Sequence, residues 1–349
     1  MTKIRLLLCA SLAALSAPAF AAASVAGTDS LREWNLIVLG DLQSSSEVEG
    51  RTFVGGDLSG NSSNYQITTP APSPTGQPGL TVVGDVTGGA KNLNNGSGAV
   101  IGGNVASGFN LNGAAQTVQV GGTIANTNVN QNTVQSGLAA SNASFSADLV
   151  QQKTLLTSSL TDLSHTLSTL ETNSTVAISG NRATFNAVPD AKGVAVFTLT
   201  AAQLNQIGEI AFNLNGADTA IVNVSGAAIT LNDNFLGGTA NLGEHVIWNF
   251  ADAKTLDLTA AWGGSVLAPG AAATTANYIQ GSAVFGSLIQ NGEMHVGTYA
   301  GSYYPPTTSD TPGGATPVPA GSSWPLFLLG AAGVLIGRRL SRTRRTAAG

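Results

Sequence analysis

The chain has 349 residues, 43 of them glycine, with 43% apolar, 9% charged and 6% aromatic side chains. Glycine thus exceeds its usual share of roughly 7%, and the balance argues against a disordered polyelectrolyte or a long helical bundle while suiting short strands joined by many turns. The net charge of -5 hides an uneven layout, because Lys3 and Arg5 open the chain and five arginines close it, leaving seven basic residues in the body against all 19 carboxylates, a body charge of -12. Such a surface repels phosphate backbones, which sets nucleic-acid partners aside.

Residues 1–23 read as a secretory signal peptide. Lys3 and Arg5 precede an apolar stretch from Leu6 to Leu15, and small residues follow at Ala17, Ala19, Ala21 and Ala23, so signal peptidase would cut after Ala21 or Ala23. Cys9 lies inside that stretch and is the only cysteine. The exported chain therefore needs a sizeable core in place of disulfide staples.

Between residues 36 and 124 one phrase recurs. Gly40-Asp41, Gly56-Asp57, Gly84-Asp85, Gly103-Asn104 and Gly122-Thr123 each follow a Val, Leu or Ile by one or two residues and precede another apolar residue. A period near 16 to 19 residues, lengthened once by the Pro70–Pro78 insert, marks strand-and-turn units that bury their apolar faces only by stacking. The pattern predicts Gly at tight corners of positive φ and Asp or Asn bonding the turned backbone. Calcium on Asp41, Asp57 and Asp85 is disfavoured, since the spacing is not that of a calcium repeat, and no cofactor is expected.

Residues 144–172 lack Gly and Pro and carry Leu149, Leu156, Leu163 and Leu170 at sevens with Leu160 and Leu167 between. This predicts one long helix with a single apolar stripe, capped by Asn142 or Ser144 and packed along the flank of the stack. Six strand-like runs follow: Val194–Leu199, Ile210–Leu214, Ala220–Val224, Val246–Phe250, Ser265–Ala268 and Ala283–Ile289. The fold class expected for residues 24–304 is mainly β, a β-solenoid (β-helix) with that helix alongside. About ten rungs stacked this way would make a rod of about 50 Å.

Residues 305–319 form a Pro, Gly and Thr linker. Residues 320–349 hold a short apolar run, Trp324–Gly337, and then Arg338, Arg339, Arg342, Arg344 and Arg345. Fourteen residues reach about 21 Å as a helix, less than the ~30 Å hydrocarbon core, so the run predicts transient membrane contact with its arginines on the cytoplasmic side.

Val318-Pro319, the short apolar helix and the terminal arginines together resemble a PEP-CTERM sorting signal, although Ala320 stands where that pattern commonly has Glu. The resemblance implies recognition by an exosortase-like sorting enzyme in a Gram-negative envelope. Asn35–Leu42, Val54–Leu58, Asn223–Gly226, Trp248–Ala253 and Gly264–Pro269 resemble the choice-of-anchor A domain, a bacterial surface module regarded as an adhesin. Strands, long helix, then strands is similar at fold level to bacterial ice-binding β-solenoids.

His165, His245 and His295 form no metal-ligand motif, and neither a G-x-S-x-G elbow nor a phosphate-binding glycine loop occurs. The chain is therefore expected not to be an enzyme. Glu47 with Glu49, or Asp252 with Asp257, are the nearest carboxylate pairs for a competing reading as a β-helical polysaccharide-degrading enzyme. Among the tryptophans Trp248 is expected in the core and Trp262, beside Gly263-Gly264, at the surface. The favoured reading is an adhesive or matrix protein that offers flat arrays of Asn, Ser and Thr to a surface polysaccharide or a neighbouring cell-surface protein. Ice or mineral binding ranks lower, since Thr198-Leu199-Thr200 is the one Thr-x-Thr found.

Overall fold

The computed structural model describes residues 25–305; the expected signal peptide, most of the linker, Val318, Pro319, Arg338 and Arg339 lie outside them. Those described residues are mainly β, dominated by large parallel sheets. One sheet runs in the order Thr133–Gln135, Thr117–Val120, Ala99–Ile101, Leu80–Val82, Thr52–Val54, Leu36–Val38, Ala283–Gln290, Ser265–Thr275, Val246–Asn249, Thr219–Ser225, Val194–Thr200. Eleven strands at about 4.8 Å spacing extend about 48 Å.

That order has a consequence for the chain path. The first strand, Leu36–Val38, lies in the middle, pairing with Thr52–Val54 on one side and Ala283–Gln290 on the other. Residues 36–135 build outward from it toward one end. The long helix carries the chain back, and residues 194–290 build from the other end to the middle. Simple end-to-end succession of the repeats is thus replaced by two stacks that meet.

A second sheet of seven strands runs Phe109–Leu111, Lys91–Leu93, Ser63–Tyr65, Glu47–Val48, Met294–His295, Ile279–Gln280, Trp262–Gly263. A third, of four strands, starts with the antiparallel pair Thr175–Ser179 and Arg182–Asn186. Within each strand alternate residues turn to a shared interior, which holds Leu36, Val38, Val54, Val82, Ile101 and Val120 from the first sheet and Val48, Tyr65, Leu93 and Phe109 from the second. In the later half the same interior is filled by aromatic rings: Trp248 lies 5.5 Å from Phe185, 5.8 Å from Phe212 and 4.9 Å from Trp262.

The corner glycines stack in register. Gly56 donates to the Gly40 carbonyl at 2.8 Å, Gly84 to Gly56 at 3.0 Å, and Gly103 to Gly84 and Gly122 to Gly103 at 2.9 Å each. The Pro70–Pro78 insert leaves this pairing intact, since Thr52–Val54 pairs directly with Leu80–Val82. These corners do not use positive φ, contrary to the sequence expectation. They need Gly because rungs approach too closely for a side chain: a Cβ on Gly40 would lie 2.7 Å from the Gly286 carbonyl oxygen, and one on Gly103 would strike Asp85 and the Gly84 backbone.

The long helix spans Ala143–Ser168, about 39 Å at 1.5 Å per residue. Asn142 caps its start, its side-chain oxygen accepting from the Ser144 N–H at 3.1 Å. It stops four residues before the expected Thr172. Asn173 accounts for this, since its side chain donates to the Val194 carbonyl and accepts from the Val196 N–H, drawing the chain into extended pairing with the end strand. The helix lies flank-on: Leu156, Leu160, Leu163 and Leu167 pack with Ile37, Phe53, Ile221, Ile247, Leu267 and Val284, the outward residues of the first sheet.

Below that apolar seam runs a buried polar one. Asn249 donates to the Ser164 carbonyl and to Asn223 Oδ1, both at 2.8 Å, and accepts from the Ser164 hydroxyl at 2.6 Å, while Asn223 donates to the Leu167 carbonyl at 2.7 Å. The two ends of the described chain also meet. Arg32 lies over the rings of Tyr299 and Tyr304 and bonds the Gly301 carbonyl, and Thr28 donates to the Tyr303 carbonyl at 2.8 Å.

Candidate functional site

The second sheet carries an outward array of amides. Its strands present Asn64, Asn92 and Asn110 in one column, because Ser63, Tyr65, Lys91, Leu93, Phe109 and Leu111 take the inward positions. Asn110 donates to Asn92 Oδ1 at 2.8 Å, and Asn64 donates to Glu47 Oε1 at 2.9 Å. Asn112 donates to Asn94 Oδ1 at 3.1 Å in the next column. Asn94 itself donates to the Tyr65 carbonyl at 3.1 Å, and Asn95 to the carbonyls of Gln66 and Ile67 at 2.9 and 2.7 Å.

Each amide has two N–H donors and two acceptor lone pairs, so a ladder bond on either side leaves hydrogen-bonding capacity toward solvent. Columns along a strand repeat at about 6.8 Å and rungs at about 4.8 Å. The result is a rigid grid of neutral donors and acceptors. A shallow depression of about 330 Å3 lies on it, between Glu47, Asn64, Asn94, Asn95 and Asn112. Toward the other half the sheet continues into Tyr278, whose ring stacks on His295 at 4.5 Å, with His295 Nε2 2.7 Å from Glu293.

These positions were legible as a phrase. Lys91-Asn92-Leu93-Asn94, Phe109-Asn110-Leu111-Asn112 and Thr127-Asn128-Val129-Asn130 recur at steps of 18 with an apolar residue between two asparagines. The Gly-Asp phrase drew attention to the corners instead.

At those corners the structure places Asp41, Asp57, Asp85 and Asn104 in a second ladder. Asp41 Oδ1 accepts the Asp57 N–H at 2.9 Å, Asp57 Oδ1 the Asp85 N–H at 2.8 Å, Asp85 Oδ1 the Asn104 N–H at 2.6 Å and Asn104 Oδ1 the Thr123 N–H at 3.0 Å. Each side chain thus bonds the next rung and not its own turn.

Of the proposed carboxylate pairs, Glu47 is engaged by Asn64 and Glu49 by the Val296 N–H at 2.7 Å, while Asp252 and Asp257 are exposed. His165 is exposed on the helix, and His245 Nδ1 lies 2.8 Å from the Asp218 carbonyl. Contrary to the sequence expectation of a surface position, Trp262 is fully buried, as are Trp34 and Trp248. Gly264 explains it, because a Cβ there would sit 2.7 Å from the Trp248 ring, so this glycine makes room for the Trp248 indole, against which Trp262 packs at a tilt of 59°.

Two interior charges escaped the sequence reading. Lys91 points inward, its ammonium donating to the carbonyls of Ser59, Gly60 and Asn61, and burial pulls it down to about 8. Asp233 is buried with both carboxyl oxygens unpartnered, and burial pushes it up to about 7.

A family model for the ice-binding-like adhesive domain matches residues 27–296, spanning both stacks, the helix and the amide grid. The chain belongs to that family. No curated protein and no solved structure gives a match.

This ice-binding-like adhesive domain has a further outward-facing surface. The later strands of the first sheet bend, with a register shift between Ala268 and Ala272, into a face where Ala228, Thr255, Ala272 and Ser287 align in one column. Thr230, Asp257, Thr274, Ile289, Gln43 and Ser59 align in the column beside it. The first of these columns holds only Ala, Ser and Thr, and Ile289 in the second is 45% exposed, so the surface is less polar than the amide grid.

Proposed function

We propose that this chain is an adhesive protein of the cell surface or extracellular matrix, a β-solenoid of the choice-of-anchor A kind that acts by contact rather than catalysis. The asparagine grid of the second sheet carries the reading: its spacing is fixed by backbone pairing, so a partner meets it without the cost of ordering flexible side chains. A surface polysaccharide, or a neighbouring cell-surface protein rich in hydroxyls and amides, is the matching partner. Export would use residues 1–23 and signal peptidase, and residues 320–349, with Val318, Pro319, Arg338 and Arg339, would be read by an exosortase-like enzyme after transient membrane contact.

The test compares cells carrying the full chain with cells carrying the triple change Asn92→Ala, Asn110→Ala and Asn112→Ala in glycan-array and cell-retention assays. Retention should fall by about tenfold or more with surface display unchanged. Equal retention by both forms would remove the grid from the account.

The family's ice-binding-like character and the Ala228–Ser287 column favour a second reading, binding of an ordered ice or mineral face. A bulky change at its centre, Ala272→Tyr, would then abolish thermal hysteresis or crystal adsorption and leave glycan retention untouched.

A further inference from the structure

The helix does not seal the first sheet along its whole length. Beyond Leu156 it is bolted down by leucines and by the Ser164, Asn223 and Asn249 network, but its first turns, Phe145 to Leu155, stand over a cleft of about 1050 Å3. Opposite them lie Thr81, Val100, Gln116 and Gln119 of the outward-building stack. The volume lies just above the roughly 300–1,000 Å3 usual for small-molecule sites.

Its lining has a definite chemistry. Amides dominate the polar part: Gln77, Gln116, Gln119, Gln135 and Gln152 all reach it, and Gln152 bridges from the helix to Gln77 Oε1 at 3.1 Å. Phe145, Leu149, Val100 and Pro78 supply apolar surface. Among the described residues Asp148 is the single charged one lining it, with no Lys, Arg or His.

The lining amides that stay accessible point to an occupant: Gln119 and Gln152 are half-buried and Gln135 is exposed. Gln119 donates to Gln135 Oε1 at 3.1 Å, which leaves both amides further donors and acceptors toward the cleft. A sugar hydroxyl, which donates and accepts at once, matches such groups. An anionic ligand finds no cation here and a cationic one finds a single carboxylate. The geometry points to a binding site for a short neutral oligosaccharide, its hydroxyls on the amides of Gln119, Gln135 and Gln152 and its C–H faces on Phe145, Leu149 and Val100. This site is separate from the asparagine grid, which lies on the other sheet.

Maltotriose, cellotriose and tri-N-acetylchitotriose are titrated against the full chain and followed by ligand-observed NMR. At least one should bind saturably, and Val100→Trp, which fills the cleft, should weaken it by about tenfold or more. Gln77→Leu, a milder change checked for unaltered helix content, should weaken it several-fold. Asn92→Ala with Asn110→Ala should leave it within about twofold, so the cleft and the grid are judged apart. The site is overturned if none of the three sugars saturates below about 10 mM, or if the filled cleft binds like the native one. Equal binding of trigalacturonate would overturn its neutral character.

Discussion

The two stacks solve one problem in opposite ways. Residues 36–135 build narrow rungs in which glycines at the corners let backbones touch and a thin interior holds mostly Val, Leu and Ile, with single rings from Tyr65 and Phe109. Residues 194–290 build wider ones: Val194 pairs with Thr219 and Ala220 with Val246, and the space within is filled by Phe197, Phe212, Phe235, Trp248 and Trp262. The first solution depends on backbone approach and repeats many small contacts. The second concentrates its burial in a few large rings, so damage should be shared out in one stack and focused in the other.

Trp248→Ala tests the focused half. The indole is fully buried, contacts four aromatic rings and donates to the Gly263 carbonyl at 3.0 Å. Its removal should cost about 3–5 kcal/mol, against about 0.5–1.5 kcal/mol for Ile101→Val in the narrow stack. Chemical denaturation gives both values, and similar losses would refute the division.

Asn249→Ala probes the seam joining the wide stack to the helix. The change strands Ser164 Oγ and Asn223 Oδ1 in a buried setting, at about 1–3 kcal/mol for each group left unpaired. Amide exchange should accelerate over Leu156–Leu167 more than over the narrow strands. Uniform acceleration throughout would mean the seam is not a local fastening.

The narrow stack was the more legible half in the sequence, because its cohesion recurs at a fixed step: the glycines at 40, 56, 84, 103 and 122 became adjacent corners. The helix was legible from its leucine stripe. What escaped was non-local. The pairing of Leu36–Val38 with Ala283–Gln290 has no local signal, yet it puts the start of the domain in the middle of the sheet. Lys91 reads as a solvent residue until three carbonyls are seen around its ammonium. Trp262 reads as exposed beside two glycines until Gly264 is seen to yield its volume to Trp248. The asparagine grid was visible as a phrase, but which face it occupied depended on the register of the second sheet.

The buried carboxyl of Asp233 gives the wide stack a pH signature. In the unfolded chain it ionises near 3.8, whereas in the fold it holds its proton to about 7. Its neutral form therefore contributes stability that is complete below about pH 4 and is lost as pH rises through about 7. Asp233→Asn should remove this component: the variant's gain in Tm over the native chain should grow between about pH 5 and 7 and then level off. A gain that does not vary with pH would place the native carboxyl in water.

The smallest effect is expected at an exposed corner of the narrow stack, where Asp57→Ala removes the acceptor of the Asp85 N–H. A single hydrogen bond of this kind is worth about 0.5–1.5 kcal/mol, and with Asp41 and Asp85 still in place the loss should stay within one rung. Gly84→Ala at the same corner should cost more, since its Cβ would meet not only Asp57 but the Gly56 carbonyl oxygen at 2.8 Å, and backbone cannot swing aside. Combining the two changes separates the contributions. If relief of the Asp57 contact restored the alanine variant to native stability, side-chain crowding alone would explain the glycine; a persistent loss measured by denaturation would assign it to the closeness of stacked backbones, on which the narrow rung depends.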